Sequence, residues 1–434
     1  MMPSLIALLP FAGVDRRTAW LRGTLLGACF LGMIASVPVW LSTRPFPLLP
    51  IIRGFPALPK PWDIFLLATL LLALVLAGWC YRTGVICFLS ASLFAFCQDQ
   101  NRGQPWFYMY WVMLLLTLLP RPTALAACRW ALTVVYLWSG IQKCNARFFH
   151  VMPVWFVGPA EKWHLPVAVI ELLRWTVAAT PFLEIAIGLA LWSSRGRPPA
   201  IIAVVGLHLG AVLFLGPLGH NYNWVVWPWN FAMIALVGSL FLTPNAQPKG
   251  AALAETRKPF AKALHHESSD KSPRPGTDAI PAEPFLGEAF GAIFRSRLAS
   301  AVLIPFSLLP ILSYSGRWDS YFSFALYSEN SAVVNIFVTK AFGDRLPPAM
   351  RVHVHPFPQA HDPHHQAPYY FAFETWGYEV MHVPPISEPR SFQGIFRYLQ
   401  TFSKQTGDLR MIIGARDGSV MFYQGDSVSP LTPN

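Results

Sequence analysis

A lysine closes a long apolar run in this sequence: Ala131 to Ile141 leads through Tyr136-Leu137-Trp138-Ser139-Gly140-Ile141-Gln142 into Lys143, Cys144 and Asn145. An amine at a hydrocarbon boundary either reaches water along its own methylenes or is held dry, where burial favours the neutral, basic form. In the second case Lys143 is a candidate general base. Other polar groups stand where a membrane would exclude them. Glu184 lies inside Pro181 to Leu191, His208 in the middle of Ala200 to Leu215, and Asn230 within Trp224 to Leu242. Each ionisable group at such a depth costs about 2.5–3.5 kcal/mol on insertion scales. Glu184 and His208 therefore join Lys143 as candidate catalytic residues, with interhelical hydrogen bonding as the structural alternative. Asn230, His220 in the polar mouth Gly219-His220-Asn221-Tyr222-Asn223, and Trp138 beside the lysine are candidates for orienting a bound molecule.

Other constellations read as structural. Glu171 and Arg174 are three apart on one helix face and should pair. Asp99 and Arg102, in the loop Asp99 to Trp106, should neutralise each other. A histidine set, His353, His355, His361, His364 and His365 with Asp362, contains donors suited to a metal, and His353 with His355 would share a strand face. With no cysteine nearby and no His-Glu-x-x-His spacing, a solvated loop is the preferred reading over a metal site at His353, His355 and His361.

The elements that must position these groups are mostly apolar helices. Of the 434 residues 54% are hydrophobic and only 13% charged, which excludes an ordinary soluble protein and places the chain in a lipid bilayer. The net charge of +11 is scattered at the ends of apolar runs rather than gathered in a stripe, which argues against nucleic acid. Runs of about 20 apolar residues are what a bilayer requires. Helices are expected near Leu21–Leu41, Trp62–Cys80, Gly84–Cys97, Trp106–Leu119, Thr123–Gln142, Ala168–Trp192, Ala200–Gly216, Trp224–Leu242 and Leu298–Tyr314. The fold class is thus an all-α polytopic bundle of about nine transmembrane helices with a small C-terminal α+β soluble domain.

Arg16, Arg17, Arg22, Arg82, Arg121, Arg195 and Arg197 all fall on one side of that arrangement, and the alternate loops carry fewer basic residues. The positive-inside rule then gives a cytoplasmic N-terminus and an extracytoplasmic C-terminal domain. The apolar patch Leu5 to Phe11 precedes its basic residues, the reverse of a signal peptide, so the first helix is expected to be an uncleaved anchor. The six cysteines lie in or beside apolar segments and suggest no disulfide framework.

Four units follow: a helical domain over 1–243, a disordered linker over 244–291, a final span over 292–315 and the soluble domain over 316–434. In the last, Val333–Thr339, Met350–His355 and Tyr369–Phe373 read as strands and Gln393–Lys404 as an amphipathic helix. Arg410–Ala415 and Ser419–Tyr423 flank Asp417-Gly418, a hairpin signal.

The stretch Tyr136 to Asn145, of the form Tyr-x-x-small-Gly-Ile-x-Lys-x-Asn, resembles the vitamin K-dependent γ-carboxylases and the bacterial membrane proteins that share their HTTM domain. Asp99-Gln100-x-Arg102, Glu184-Ile185-Ala186-Ile187-Gly188, His208 and Asn230 agree with it in order and spacing, over about residues 20–245 plus the ninth span. The resemblance implies a quinone or vitamin K-like hydroquinone as lipophilic cofactor, entering from the lipid, with Lys143 as the base that deprotonates it. It implies either carboxylase/lyase-like or quinone-dependent oxidoreductase chemistry. The chain departs from the family at Gln142, where a second lysine is usual, at the apolar Trp106-Phe107, and in lacking a large luminal substrate-binding region. These departures bear on glutamate carboxylation more than on quinone binding. A non-catalytic scaffold or transporter-like protein with an external binding domain is the alternative.

Overall fold

Several apolar runs begin as helices at a side-chain cap or at a proline. Asp15 accepts a hydrogen bond from the Thr18 amide at 3.2 Å and opens α1 (Arg16–Ala35). Proline in the first turn starts α5 (Pro105–Leu116), α6 (Arg121–Lys143) and α9 (Arg197–Leu215), where its missing N–H costs nothing. The remaining helices of the bundle are α2 (Val37–Trp40), α3 (Trp62–Leu76), α4 (Tyr81–Gln98), α7 (Ala146–Val157), α8 (Val167–Ala190), α10 (Val226–Phe241), α11 (Leu286–Arg295) and α12 (Arg297–Leu308). The computed structural model describes residues 14–52, 54–221, 223–242, 286–357, 369–425 and 427–431.

Each of the nine expected helical segments contains a helix, but among the described residues only five stretches are both long and apolar enough to cross a membrane. They are α1, α6, α8, α9 and Arg297–Ser315, in which α12 continues as a tighter turn. The helices α3, α5 and α10 are apolar but shorter, at 15, 12 and 16 residues. Two helices fall outside the expected set. The first, α7, occupies what reads as a loop, and α11 begins inside the range assigned to the linker. Residues 244–285, the rest of that linker, and the patch Leu5 to Phe11 lie outside the described residues.

The helix α6 is the axis of the bundle, packed along α8 and touching α5, α10, α11 and α12. Its approach to α8 depends on glycine. A Cβ at Gly140 would sit 2.5 Å from the Pro181 carbonyl oxygen, and one at Gly188 would sit 2.9 Å from the Leu137 side chain. Small residues at such crossings let the two backbones close. Pro181 leaves the Val177 carbonyl without its usual amide, and the Thr180 hydroxyl donates to that carbonyl at 2.7 Å.

The bundle has two distinct ends. At one, Asp15 pairs with Arg121 at 2.9 Å and Arg17 donates to the Ser239 carbonyl at 2.9 Å. At the other sits the C-terminal unit, an antiparallel six-stranded sheet of order β2-β3-β1-β4-β5-β6. Its strands are β1 (Val333–Val338), β2 (Val354–Pro356), β3 (Tyr369–Phe371), β4 (Leu409–Gly414), β5 (Val420–Gln424) and β6 (Ser427–Leu431). Central strand β1 pairs with β4 from Val333↔Gly414 to Val338↔Leu409. The Asp417-Gly418 turn joins β4 to β5 as expected, with Gly418 at φ 85°. The helix α13 (Phe373–Met381) replaces the end of an expected strand, and α14 (Pro389–Gln400) lies four residues earlier than expected at both ends. It buries Phe392, Ile395, Phe396 and Leu399, and packs on β4. The expected strand Met350–His355 is instead a helical turn, Pro348–Arg351, followed by β2, because Pro347-Pro348 sets up a helix start.

The two units are pinned together at Asp99–Gln104. Asp99 does not pair with Arg102. Its carboxylate is held by Arg44 at 2.5 Å and by the Leu49 amide at 3.2 Å. Arg102 donates instead to the Val39, Trp40 and Ala95 carbonyls at 2.8–3.2 Å. The neighbouring Asn101 accepts from the Ile386 amide at 3.1 Å, and Gln104 donates to the Pro384 carbonyl at 3.0 Å. Asp99 and Arg102 thus fix the loop within the bundle, and Asn101 and Gln104 dock the sheet unit onto it.

Candidate functional site

Tyr136, Ser139 and Lys143 stand at i, i+3 and i+7 of α6, hence on one face, and that face looks onto α8, α9 and α10. Lys143 does not snorkel. It is 8% exposed, and its Nζ donates to the two Glu184 carboxylate oxygens at 2.7 and 2.9 Å and to the Ser139 hydroxyl at 2.7 Å. Glu184 is equally buried, at 7%. An ammonium has three protons to donate, and Glu184 and Ser139 supply partners for them. This geometry stabilises the charged pair, so the structure replaces the expected isolated neutral amine with a Lys143–Glu184 ion pair.

A second chain of hydrogen bonds runs beside it. The Tyr136 hydroxyl lies 2.7 Å from His208 Nε2, and His208 Nδ1 lies 2.6 Å from Asn230 Oδ1. Asn230 Nδ2 donates to the Val226 carbonyl at 2.6 Å, which orients the amide with its oxygen toward the ring. His208 then carries its proton on Nδ1, and Nε2 is a free base that accepts from Tyr136.

Both sets line one partly open cavity of about 400 Å³ between α6, α7, α8, α9 and α10, with Phe324, Leu326 and Tyr327 in its lining at the sheet end. Its remaining wall is chiefly apolar, from residues such as Val135, Leu173, Phe214 and Met233. Trp229 also lines it, and the buried indole N–H of Trp229 has no hydrogen-bond partner among the described residues. A donor left unpaired in such a place costs free energy unless an acceptor meets it.

Asn145, two residues beyond the lysine, has a structural task. Its side chain accepts from the Phe148 amide at 2.9 Å, starting α7, and donates to the Ser328 carbonyl at 2.7 Å. The Lys-x-Asn spacing thus places the amine and anchors the loop that lines the cavity at its sheet end.

Of the expected site residues, Lys143, Glu184, His208 and Asn230 come together, and Trp138 and His220 do not join them. Trp138 Nε1 donates to the Ser307 carbonyl of α12 at 2.9 Å, and His220 stacks on Trp155 at 4.1 Å with Nε2 2.8 Å from the Trp155 carbonyl. Both are packing residues outside the cavity wall. Glu171 and Arg174 pair at 2.5 Å, as their spacing implies, and Arg174 also reaches Glu161 at 3.1 Å. In the sheet unit His353 is buried beside Glu379 at 3.3 Å, whereas His355 is exposed and near Tyr370. They do not share a face, because His353 precedes β2 rather than lying in it. His361, His364, His365 and Asp362 lie outside the described residues. Among the described residues no three His, Cys, Asp or Glu side chains are grouped as a metal would require.

No protein-family model matches the chain, and no curated protein or solved structure is detectably similar to it. Three cavity residues had weaker signals in the sequence or none. Tyr136 is the first residue of the Tyr-to-Asn motif and stands seven positions before the lysine, so its helical phase was readable. Trp229 and Tyr327 carried nothing to separate them from the other aromatic residues.

Proposed function

We propose that this protein is a membrane enzyme that binds a quinone-like lipophilic molecule in the α6–α10 cavity and moves a proton between it and the Lys143–Glu184 pair. The observation that carries the reading is the convergence of that pair and the Tyr136–His208–Asn230 chain on one apolar cavity. A volume of about 400 Å³ falls within the 300–1,000 Å³ of ordinary small-molecule sites. Apolar walls suit a ring and its isoprenoid tail.

A bound hydroquinone would supply acidic ring hydroxyls and the electrons released on its oxidation. Glu184 makes the amine available, since a proton shift from Lys143 Nζ to the carboxylate leaves both groups neutral without changing the total charge of the pair. Lys143 Nζ would be the group placed to accept a proton from a bound ring hydroxyl and, as an ammonium, to hold negative charge beside it. The Tyr136 hydroxyl holds a second proton, which it donates in a hydrogen bond to His208 Nε2. The likeness to the γ-carboxylases and HTTM proteins belongs to this proposal, as does the topology of nine membrane segments in an inner membrane. The basic residues at the end of the bundle opposite the sheet unit support a cytoplasmic N-terminus and an extracytoplasmic sheet.

Organic extraction of the purified protein followed by absorption spectroscopy tests the reading. A stoichiometric quinone-type spectrum is expected, and its absence together with no stabilisation by added quinone would overturn it. One observation favours a second reading, a non-catalytic scaffold: Lys143 is already fully partnered by Glu184 and Ser139. A scaffold would depend on the pair for stability alone and bind no quinone.

A further inference from the structure

A second hollow, of about 790 Å³, lies away from the lysine, between α1 and α10. Small residues leave the space: Gly23, Gly27 and Ala28 of α1 and Ala232 and Ala235 of α10 form its floor, while Leu31, Trp227 and Phe231 rise beside it and are 39–56% exposed. A Cβ at Gly27 would meet no atom within 4 Å. Both helices are apolar and α1 is long enough to cross a bilayer, so in a membrane this hollow opens toward lipid.

Its dimensions select an occupant. The hollow follows α1 from Gly23 to Ala35, about 18 Å at 1.5 Å per residue, a little over half of the ~30 Å hydrocarbon thickness. A volume of about 790 Å³ over that length makes a channel roughly 7–8 Å across, narrower than the ~10–12 Å of a helix with its side chains. A helix of a second copy does not fit, whereas the tail of one lipid leaflet has the right depth. The end away from the sheet adds a charge. Arg16, Trp20, Gly23, Gly27 and Leu31 fall within about 80° of one face of α1, so the line of the hollow continues to a tryptophan and then a guanidinium. Trp20 is 57% exposed, and Arg16 is exposed with no hydrogen bond or ion pair among the described residues. The adjacent Asp15 is taken by Arg121. Indole rings collect at headgroup level, and a free guanidinium matches a phosphate.

We propose that this hollow is a phospholipid site, in which one acyl chain lies along Gly23, Gly27 and Ala235 and the phosphate of the same molecule meets Arg16, with Trp20 between them. The two contacts together give selectivity, since a lipid without the phosphate or a phosphate without the chain makes only one. The inference goes beyond the proposed function and rests only on the bundle lying in a bilayer. Leu215 alone lines both this hollow and the Lys143 cavity, and α10 turns Phe231 and Ala235 to one and Asn230 and Met233 to the other.

The test is thermal unfolding of the full-length protein in a neutral detergent against rising mole fractions of phosphatidylglycerol, with diacylglycerol and inorganic phosphate as separate arms. A saturable rise in unfolding temperature is expected with phosphatidylglycerol alone. Gly27→Leu fills the hollow without a clash and replaces glycine by a good helix former, so it should unfold at or above the native temperature in detergent alone and lose the phosphatidylglycerol response. Arg16→Gln should raise the half-saturating fraction about tenfold, as loss of one charge-assisted contact does. Arg16→Lys, which keeps the charge, should stay within a few-fold of the native protein. Equal responses to phosphatidylglycerol and diacylglycerol, a response to phosphate alone, or an unchanged response in Gly27→Leu would overturn the proposal.

Discussion

At the scale of single residues, Lys143 and Glu184 are each intelligible only through the other. Either charge alone in an apolar helix is expensive, which is why both were legible as candidates in the sequence. That they would meet was not legible, because 41 residues, including the whole of α7, separate them. The consequence is measurable. Lys143→Met alone leaves the Glu184 carboxylate buried without a partner and should cost about 3–5 kcal/mol of stability in detergent. The double variant Lys143→Met/Glu184→Leu should recover most of that, since a well-packed apolar pair replaces two desolvated charges. Equal stability of single and double variants in thermal unfolding would contradict the pair. A second residue-scale expectation concerns Asp408. Burial alone would raise its pKa, but hydrogen bonds from the Lys404 and Gln405 amides, the charge of Arg345 and the Thr339 hydroxyl outweigh it and hold the carboxyl below its ordinary 3.8. A depressed carboxylate contributes stability that is present above the unfolded value and lost as pH falls through the folded one. Unfolding followed from pH 6 to pH 2 should therefore show a loss beginning near pH 4 that is smaller in Asp408→Asn.

At the scale of elements, the α6–α8 crossing sets the geometry of the site. Gly140→Val would drive a side chain into the Pro181 backbone, force the helices apart and pull Glu184 off Lys143. It should destabilise the protein by more than about 2 kcal/mol and abolish ligand binding. Gly188→Ala meets only the Leu137 side chain at comparable range and should be milder. Chemical unfolding of both variants checks the order. Most of the helices were readable from apolar runs and their boundary prolines. The exceptions have physical reasons. In α7, Arg147, His150 and Pro153 interrupt a segment of only twelve residues, so it lacks the uninterrupted apolar signal, and its start rests on the Asn145 cap. Asn145→Ala should cost about 1–2 kcal/mol, as the loss of a helix N-cap does, and loosen the Ser328 loop as well. In α13, aromatic residues that suit a strand are recruited into a helix, where Trp376 packs on Phe46 of the α2–α3 loop, an instance of tertiary context overriding propensity.

At the scale of the whole molecule, composition pointed toward a bilayer, and five helices have the length and apolarity to cross one. What composition did not convey is how closely the sheet unit is joined to the bundle. Asp99–Gln104, Asn145, Asn223 and Phe46 all reach it, and its Phe324–Tyr327 loop lines the helical cavity. The most direct measurement of the central claim uses Trp229, which lies in the cavity wall, as a native reporter. Titrating the purified protein with menadione while recording tryptophan emission should give a saturable quenching component that disappears in Trp229→Phe and is weakened in Lys143→Met/Glu184→Leu. Quenching that rises linearly without saturation, and is the same in native protein and both variants, would contradict a quinone-binding cavity beside Lys143.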